Sequence, residues 1–189
     1  MIKATYADKN LVSDLLTRAF DKNKSVNYLI RQNHNRLLRI RELMDYSFEQ
    51  CMLFGEVYLT EDRKACALIL YPHQKKTTFK SAMLDLKLMM NTVSLKSIKK
   101  ALKREKMIKA VQPAGDKLYL WFIGVEPSEQ HLGLGSTLLK EVLVLAKAQA
   151  LPVYLETSTV QNLPWYKKYG FTVYHQLDLS YKLHFLKSS

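Results

Sequence analysis

The chain has 189 residues, a formal net charge of +12, 48% hydrophobic residues and 24% charged residues. This composition excludes a disordered chain and indicates one globular domain over residues 1–189. No apolar run approaches the roughly 18–20 residues that cross a bilayer. The first ten residues lack the apolar segment of a signal peptide, so we expect a cytoplasmic protein without a membrane partner. The two cysteines, Cys51 and Cys66, lack paired or metal-binding spacing, which predicts reduced thiols and no metal.

The net charge of +12 points to an anionic partner. Nucleic acid, an acidic membrane surface and a phosphorylated ligand all fit a strongly basic chain. Composition by itself leaves these three alternatives open.

The first third of the chain predicts a strand followed by helices. We expect a strand over Ile2–Thr5, a helix whose first turn Asp8 caps, and further helices over Ser25–Ile30 and Leu37–Phe54. Gly55 is expected to end the last of these helices as a C′ residue. Alternating apolar residues then predict a hairpin of strands 56–60 and 65–71 around the turn at 61–64.

Residues 72–116 predict a helical insertion between two strands. Two helices are expected, over 77–90 and 95–110. The second has basic residues at positions 96, 99, 100, 103, 104, 106 and 109. A solvated helix packed through Ile98, Leu102 and Ile108 is the simplest interpretation. A helix lying on membrane or nucleic acid, or a lid over a substrate pocket, stays an alternative.

Residues 119–149 predict a strand, a loop with two glycines and a long amphipathic helix. Such an arrangement points the unpaired N–H groups of a helix N-terminus at an anion. Gly133 and Gly135 permit positive φ or a close approach of phosphate to the backbone. A P-loop is excluded because no lysine precedes Ser136, and a dinucleotide fingerprint is excluded because Leu138 stands where its third glycine belongs.

The loop has the form Gln-x-x-Gly-x-Gly from Gln130 to Gly135, after a strand that ends in Val-Glu-Pro. Downstream, Asn162, Tyr166 and Gly170-Phe171 have the spacing Asn-x-x-x-Tyr-x-x-x-Gly-Phe. Together these two motifs resemble the signatures of the GNAT N-acetyltransferases. The form LETS…NLPWYKKYGF resembles the branch that includes puromycin N-acetyltransferase.

The resemblance implies an α/β (α+β) fold, with a mixed, largely antiparallel sheet of six or seven strands flanked by helices. The sheet splits between its fourth and fifth strands, where acetyl-CoA (coenzyme A) binds as co-substrate without a metal. The strand at 119–125 is therefore expected to diverge from the strand at 153–157.

The resemblance also implies the residues of the site. Backbone groups of Ile123 and Val125 would pair with the pantetheine arm, Asn162 would bond to it, and the Gln130 side chain would help hold the pyrophosphate. The remaining phosphate ligands would be backbone donors of the loop, at His131, Leu132, Gly133, Leu134, Gly135 and Ser136. Tyr166 would protonate the departing thiolate, and Gly124, at a bulge position, would bind the oxyanion.

Two departures from the family pattern affect the chemistry. Tyr119 occupies the strand position at which many members carry a catalytic glutamate, so the base is open, with Glu156 either that base or a salt-bridged strand residue. His131-Leu132 replaces a common Gly-Lys or Gly-Arg pair, which removes a cation that Lys167 or Lys168 would have to replace.

The predicted activity is transfer of acetyl to a primary amine of a small molecule by direct attack in a ternary complex. An acyl-CoA sensor without turnover is the alternative from another class, and acetylation of protein or peptide amines is a third hypothesis. Nucleic-acid binding is disfavoured, and a homodimer is left open.

Overall fold

The computed structural model describes residues 1–92 and 95–189, and its seven strands form one sheet. The order is β1-β2-β3-β4-β5-β7-β6, antiparallel except for the parallel pair β4–β5. This confirms the predicted fold class. The strands are β1 Ile2–Lys3, β2 Gly55–Leu59, β3 Ala65–Leu70, β4 Leu118–Val125, β5 Val153–Thr157, β6 Phe171–Asp178 and β7 Lys182–Ser188.

Helices cover both faces of the sheet. They are α1 Lys9–Ala19, α2 Lys24–Leu29, α3 Arg36–Phe54, α4 Phe79–Thr92, α5 Leu95–Val111, α6 Leu134–Ala148 and α7 Leu163–Lys168. One core lies under α1 and α3 on the first face, and a second lies under α6 and α7 on the opposite face. Helix α5 packs Ile108 against Leu183 and Phe185 of β7, on the same face as α1. The helices predicted for the insertion at 72–116 are present as α4 and α5.

Strands β4 and β5 part almost as soon as they meet. Their parallel ladder contains only the pairs Leu118–Val153 and Tyr119–Tyr154. Beyond Tyr119, β4 keeps its antiparallel partner β3 on one side and loses β5 on the other. The divergence predicted from the sequence is therefore present, and it opens a cleft in the middle of the sheet.

Four details of the predicted elements are wrong. Gly55 is not a left-handed C′ residue but the first, extended residue of β2, where a Cβ would lie 2.0 Å from the carbonyl oxygen of Ile69. Asp8 precedes α1 but does not cap it, because its carboxylate accepts from the Thr5 amide and from Arg63. Leu102 is 60% exposed and supports no packing. The side chain of Ile98 lies outside the described residues.

The fourth correction concerns the bulge in β4. Leu68 pairs with Phe122 but Ile69 pairs with Leu120, so Trp121 is the extra residue. The bulge had been expected at Gly124, which instead pairs regularly with Cys66. Because of the extra residue, Trp121 and Phe122 both pack in the core under α1 and α3.

Candidate functional site

The free edge of β4 presents backbone groups to the cleft. The Glu126 amide donates to the Lys64 carbonyl at 2.8 Å, which fixes the phase of the β3–β4 ladder. Since bonded pairs alternate in an antiparallel ladder, Gly124 and Phe122 bond to β3. The N–H and C=O groups of Ile123 and Val125 therefore point the other way, into the space that β5 has left.

The glycine loop delivers further donors at one end of this cleft. Gly133 has φ +89° and His131 has φ +66°, so the chain turns sharply before α6 begins at Leu134. The Thr137 amide makes the first bond back, to the Gly133 carbonyl at 3.0 Å. The N–H groups of the first turn, at 134–136, thus have no partner within the helix.

The two glycines of the loop have different roles. A Cβ on Gly133 would meet nothing within 4 Å, so this glycine is required for its positive φ. Gly135 lies inside α6, and its Cβ would come within 3.3 Å of Val125 Cγ2. Gly135 therefore allows the start of α6 to approach the free edge of β4 closely.

Polar side chains near the loop connect α6, α7 and β4. Gln130 Nε2 donates to the Val125 carbonyl at 3.4 Å, so this side chain reaches the cleft edge. Trp165 Nε1 donates to Ser136 Oγ at 2.9 Å and ties α7 to the first turn of α6. Leu132 is 69% exposed, and Asn162 is exposed at the start of α7. Lys167 and Lys168 are also exposed.

Tyr166 is a buried phenol on α7. Its ring packs against Trp165 and Phe171, with centroids 4.7 and 5.6 Å away. Its hydroxyl bonds to no other residue in the described ranges 1–92 and 95–189. Burial raises the pKa of Tyr166, so the phenol holds its proton at neutral pH.

Gly124 has a packing role on the other side of β4. A Cβ there would lie 2.7 Å from Leu16 Cδ2 and 3.4 Å from Leu15 Cδ2, so α1 can lie close to the sheet only because this residue is glycine. The ladder directs the Gly124 N–H toward Cys66 of β3 and away from the cleft. The expectation that Gly124 supplies an oxyanion donor from a bulge is therefore corrected.

Glu156 stands on β5 just beyond its last pairing with β4. Tyr119 donates its phenolic proton to Glu156 Oε2 at 2.5 Å, and Gln112 Nε2 donates to Oε1 at 2.8 Å. Burial raises the pKa of the Glu156 carboxyl, and these two hydrogen bonds oppose part of that rise. No salt bridge to Glu156 forms among the residues that are described. It is thus a hydrogen-bonded buried carboxylate and not the ion-paired strand residue that the sequence left open.

Glu156 and Tyr119 lie on one face of the sheet. Both residues are partly exposed, although burial raises the pKa of each side chain. They lie on the face of α1 and α5, because Glu156 pairs with Phe185, which packs against Ile108.

A second polar group lies on the same face, between α2, α5 and the β6–β7 turn. Arg104 Nε donates to the Tyr181 hydroxyl at 3.0 Å, and Arg104 Nη2 donates to Ser25 Oγ at 2.7 Å. The Tyr181 hydroxyl donates in turn to Ser25 Oγ at 3.2 Å. Arg104 also favours the ionised form of Glu156 and lowers its pKa, which places the guanidinium within electrostatic reach of that carboxyl.

Sequence reasoning did not find Gln112, Arg104, Ser25 or Tyr181. Arg104 was one of seven basic residues in a helix, and nothing in the pattern distinguished it from the other six. Tyr119 was noted only because it replaces a glutamate. Only the pair of Tyr119 and Glu156 left a signal in the sequence. A phenol at the position where the resemblance expects a carboxylate suggests that a carboxylate stands on the neighbouring strand.

Comparison with known proteins is consistent with this geometry. Residues 101–173 match the family described as acetyltransferase (GNAT) domain. An uncharacterised N-acetyltransferase of Schizosaccharomyces pombe is 38% identical over 58 residues, 31% of this chain and 23% of that relative. The match thus spans about a quarter of the relative's length.

Similarity to solved structures extends over nearly the whole chain. A Corynebacterium glutamicum structure named as histone acetyltransferase HPA2 and related acetyltransferase has TM-score 0.72 and 19% identity, with 99% of this chain and 94% of that chain covered. The chain has the GNAT fold. A Drosophila melanogaster polyamine N-acetyltransferase that forms N-acetylagmatine has TM-score 0.64 and 14% identity, with 98% and 96% covered.

Within residues 1–92 and 95–189, no helix has the length and apolar character to span a bilayer. The described His, Cys, Asp and Glu side chains form no cluster of three or more that suits a metal ion.

The raised pKa of Glu156 has a consequence for stability. The folded chain binds the carboxyl proton of Glu156 more tightly than the unfolded chain, in which the pKa of this group has its ordinary value of about 4.5. The free energy of unfolding should therefore fall as pH rises from about 4.5 through the raised pKa. Glu156→Gln lacks this titrating group. All other titratable groups are common to both proteins, so their effects on the free energy of unfolding cancel in the difference.

We therefore expect the wild-type free energy of unfolding, minus that of Glu156→Gln, to decrease as pH rises from 4 to 8. Urea unfolding of both proteins at several pH values measures this difference. A difference that increased with pH would mean that hydrogen bonds outweigh burial at this carboxyl.

Proposed function

We propose that the protein is an N-acetyltransferase that moves acetyl from acetyl-CoA to a primary amine of a small molecule by direct attack. The observation that carries the proposal is the position of Glu156. Its carboxyl lies beside the point where β4 and β5 part, and it is bonded to the phenol of Tyr119, which stands where the GNAT resemblance places a glutamate.

The residues of the cleft fit coenzyme A. The N–H and C=O groups of Ile123 and Val125 that no strand pairs form an edge on which an extended amide chain can pair as an extra strand would, once the weak contact of Gln130 with the Val125 carbonyl is released. The unpaired amides at 134–136 and the positive end of the α6 dipole suit a pyrophosphate. Gln130 and the exposed Asn162 remain our proposed side-chain ligands for the cofactor. When bound, acetyl-CoA supplies the activated acetyl group.

Glu156 has the properties of a general base for an amine. An alkyl ammonium has a pKa of roughly 10 and must lose a proton before its nitrogen can attack. A carboxylate whose pKa is raised accepts a proton more readily than an ordinary one. Tyr119, bonded to Glu156 Oε2, lies on the β4 side and can pass the proton through its hydroxyl.

Tyr166 and the β4 edge have the complementary roles. The raised pKa of Tyr166 keeps its hydroxyl protonated, as an acid for a departing thiolate must be. Since the Gly124 amide bonds to β3, the amides of Ile123 and Val125 are the ones on β4 that face the cleft and can donate to a developing oxyanion. We propose that one of these two takes the role first assigned to Gly124.

A thiol-release assay with acetyl-CoA and a panel of small primary amines tests the activity. We expect turnover with at least one amine, and no turnover at all would favour the acyl-CoA sensor. The same assay with peptides of varied N-terminus and with lysine-containing peptides separates small-molecule from protein acceptors.

Tyr166→Phe should lower kcat by roughly 10²–10³-fold, within the range that one positioned acid supplies. The ring and its contacts with Trp165 and Phe171 remain, so unfolding and acetyl-CoA binding should change little. Tyr169→Phe is the matched control, because Tyr169 also packs on Trp165 and should leave kcat near wild type. Equal kcat values for the two variants would mean that the Tyr166 hydroxyl gives no proton to the thiolate.

Gly133→Glu should weaken acetyl-CoA binding by placing a carboxylate beside the proposed pyrophosphate site. Any side chain at φ +89° is strained, so Gly133→Ala is the control for backbone conformation. We expect the Gly133→Glu variant to bind acetyl-CoA at least roughly tenfold more weakly than the Gly133→Ala variant, as measured by calorimetry. Equal affinities would remove this loop from the phosphate site.

A further inference from the structure

Arg104 is a half-buried cation that has no carboxylate partner among the described residues. It donates one hydrogen bond to Tyr181 and one to Ser25, both neutral hydroxyl groups. A guanidinium carries five N–H groups, so three of them have no described acceptor. Half-buried arginines are normally paired, because removing charge from water is costly.

The hydroxyl groups hold the Arg104 side chain in one direction. Ser25 Oγ accepts from both Arg104 and Tyr181, and the Ser25 amide donates to Ser158 Oγ at 3.3 Å. Ser158 follows β5 by one residue, so this chain of bonds links the guanidinium to the strand of Glu156. The arginine is therefore fixed in position on a surface that includes the proposed base.

Arg104 and Ile108 lie on one side of α5, and Gln112 directly after the helix continues this spacing of four residues, with its amide bonded to the Ile108 carbonyl. Ile108 is buried against β7, and Gln112 at the end of the helix reaches Glu156. Eight residues of helix span about 12 Å, so the backbone positions of Arg104 and Gln112 are about that far apart. Because Gln112 contacts Glu156 directly, Arg104 lies about two helical turns along α5 from the residue that bonds the proposed base.

Lysines lie close to Arg104 on α5. Lys100 Nζ lies 3.9 Å from the centroid of the Tyr28 ring, which packs against Tyr181. Glu105, the acid beside Arg104 in sequence, pairs with Lys109 at 3.5 Å and also raises the pKa of Glu156. A carboxylate on a bound molecule would find in Arg104 a fixed cation whose remaining N–H groups have no described acceptor.

We propose that the acceptor is a primary amine that also carries a carboxylate several bonds away, with Arg104 as the carboxylate anchor. This inference rests on the proposed function. The fork of the guanidinium matches a carboxylate, while the amine at the other end of the molecule reaches Glu156. In the transfer, the acceptor nitrogen bonds to the acetyl carbon as the carbon–sulfur bond breaks, the amine proton goes to Glu156, and the sulfur takes a proton from Tyr166.

Matched acceptors test this inference. The ω-amino acids from glycine to 8-aminooctanoate vary the distance between amine and carboxylate, and their primary amides are neutral controls of the same length. We expect kcat/KM to pass through a maximum with chain length, and to exceed that of the amide by roughly 10- to 100-fold at the maximum, as expected for a hydrogen-bonded ion pair.

Arg104→Gln removes the charge and retains a neutral donor for Ser25 and Tyr181. It should abolish the preference for the acid over the amide, chiefly through KM, whereas any change in kcat that follows from the altered pKa of Glu156 should be the same for acid and amide. Lys106→Gln removes one charge from an exposed position of the same helix and should keep the preference. Arg104→Lys should restore it in part.

Three outcomes would overturn the inference. Acids and amides of equal kcat/KM in the wild type would remove the carboxylate from the acceptor. A preference that survives in Arg104→Gln would assign it to another cation. Losses in Arg104→Gln that are equal for acid and amide would make Arg104 a structural residue.

A binding measurement keeps the inference separate from the proposed activity. N-acetyl-ω-amino acids and their amides do not react, and their binding to the coenzyme A complex can be followed by NMR in wild type and Arg104→Gln. Tighter binding of the acid that is lost in Arg104→Gln supports the anchor even if no amine is acetylated. Absence of any such difference in wild type overturns the anchor whether or not turnover occurs.

Discussion

The parting of β4 and β5 is the constraint on which the rest of the site depends. A parallel pair that lasts only two residues leaves the far half of β4 with backbone groups that no strand satisfies. Unpaired N–H and C=O groups inside a sheet demand a partner, and an extended ligand can provide it. The sheet itself separates two faces. Tyr166 packs on the face covered by α6 and α7, and the Glu156 side chain lies on the face covered by α1 and α5.

Burial is the largest influence on the Glu156 carboxyl, which lies on the face of α1 and α5. The carboxyl loses solvation, and hydrogen bonds from Tyr119 and Gln112 only partly compensate. Because Gln112 directly follows α5, the helical insertion forms part of the surroundings of the proposed base. The lysines of α5 at positions 100, 103, 106 and 109 are exposed, while Arg104 and Gln112 bond to other parts of the fold.

Two glycines show how easily packing and chemistry are confused in a motif. Gly124 had been assigned to the oxyanion site because it stands at the family's bulge position. In the structure the bulge is at Trp121. Position 124 requires glycine because Leu16 of α1 lies too close for a side chain there. Gly133, by contrast, has open space around it and a left-handed backbone, which suits a loop that must turn its amides outward.

The sequence by itself determined most of the elements up to β5 through local periodicity. The fold class and the residues of the glycine loop came from two motifs that resemble the GNAT signatures, since the members of each motif are close in the chain. Tertiary structure decided what joins distant segments: the bond between Tyr119 and Glu156, the arrival of Gln112, and the contact of Arg104 with Ser25 and Tyr181. The sequence around Arg104 does not indicate its hydrogen-bond partners. Tyr181 and Ser25 are 77 and 79 positions away and meet Arg104 only when the chain folds.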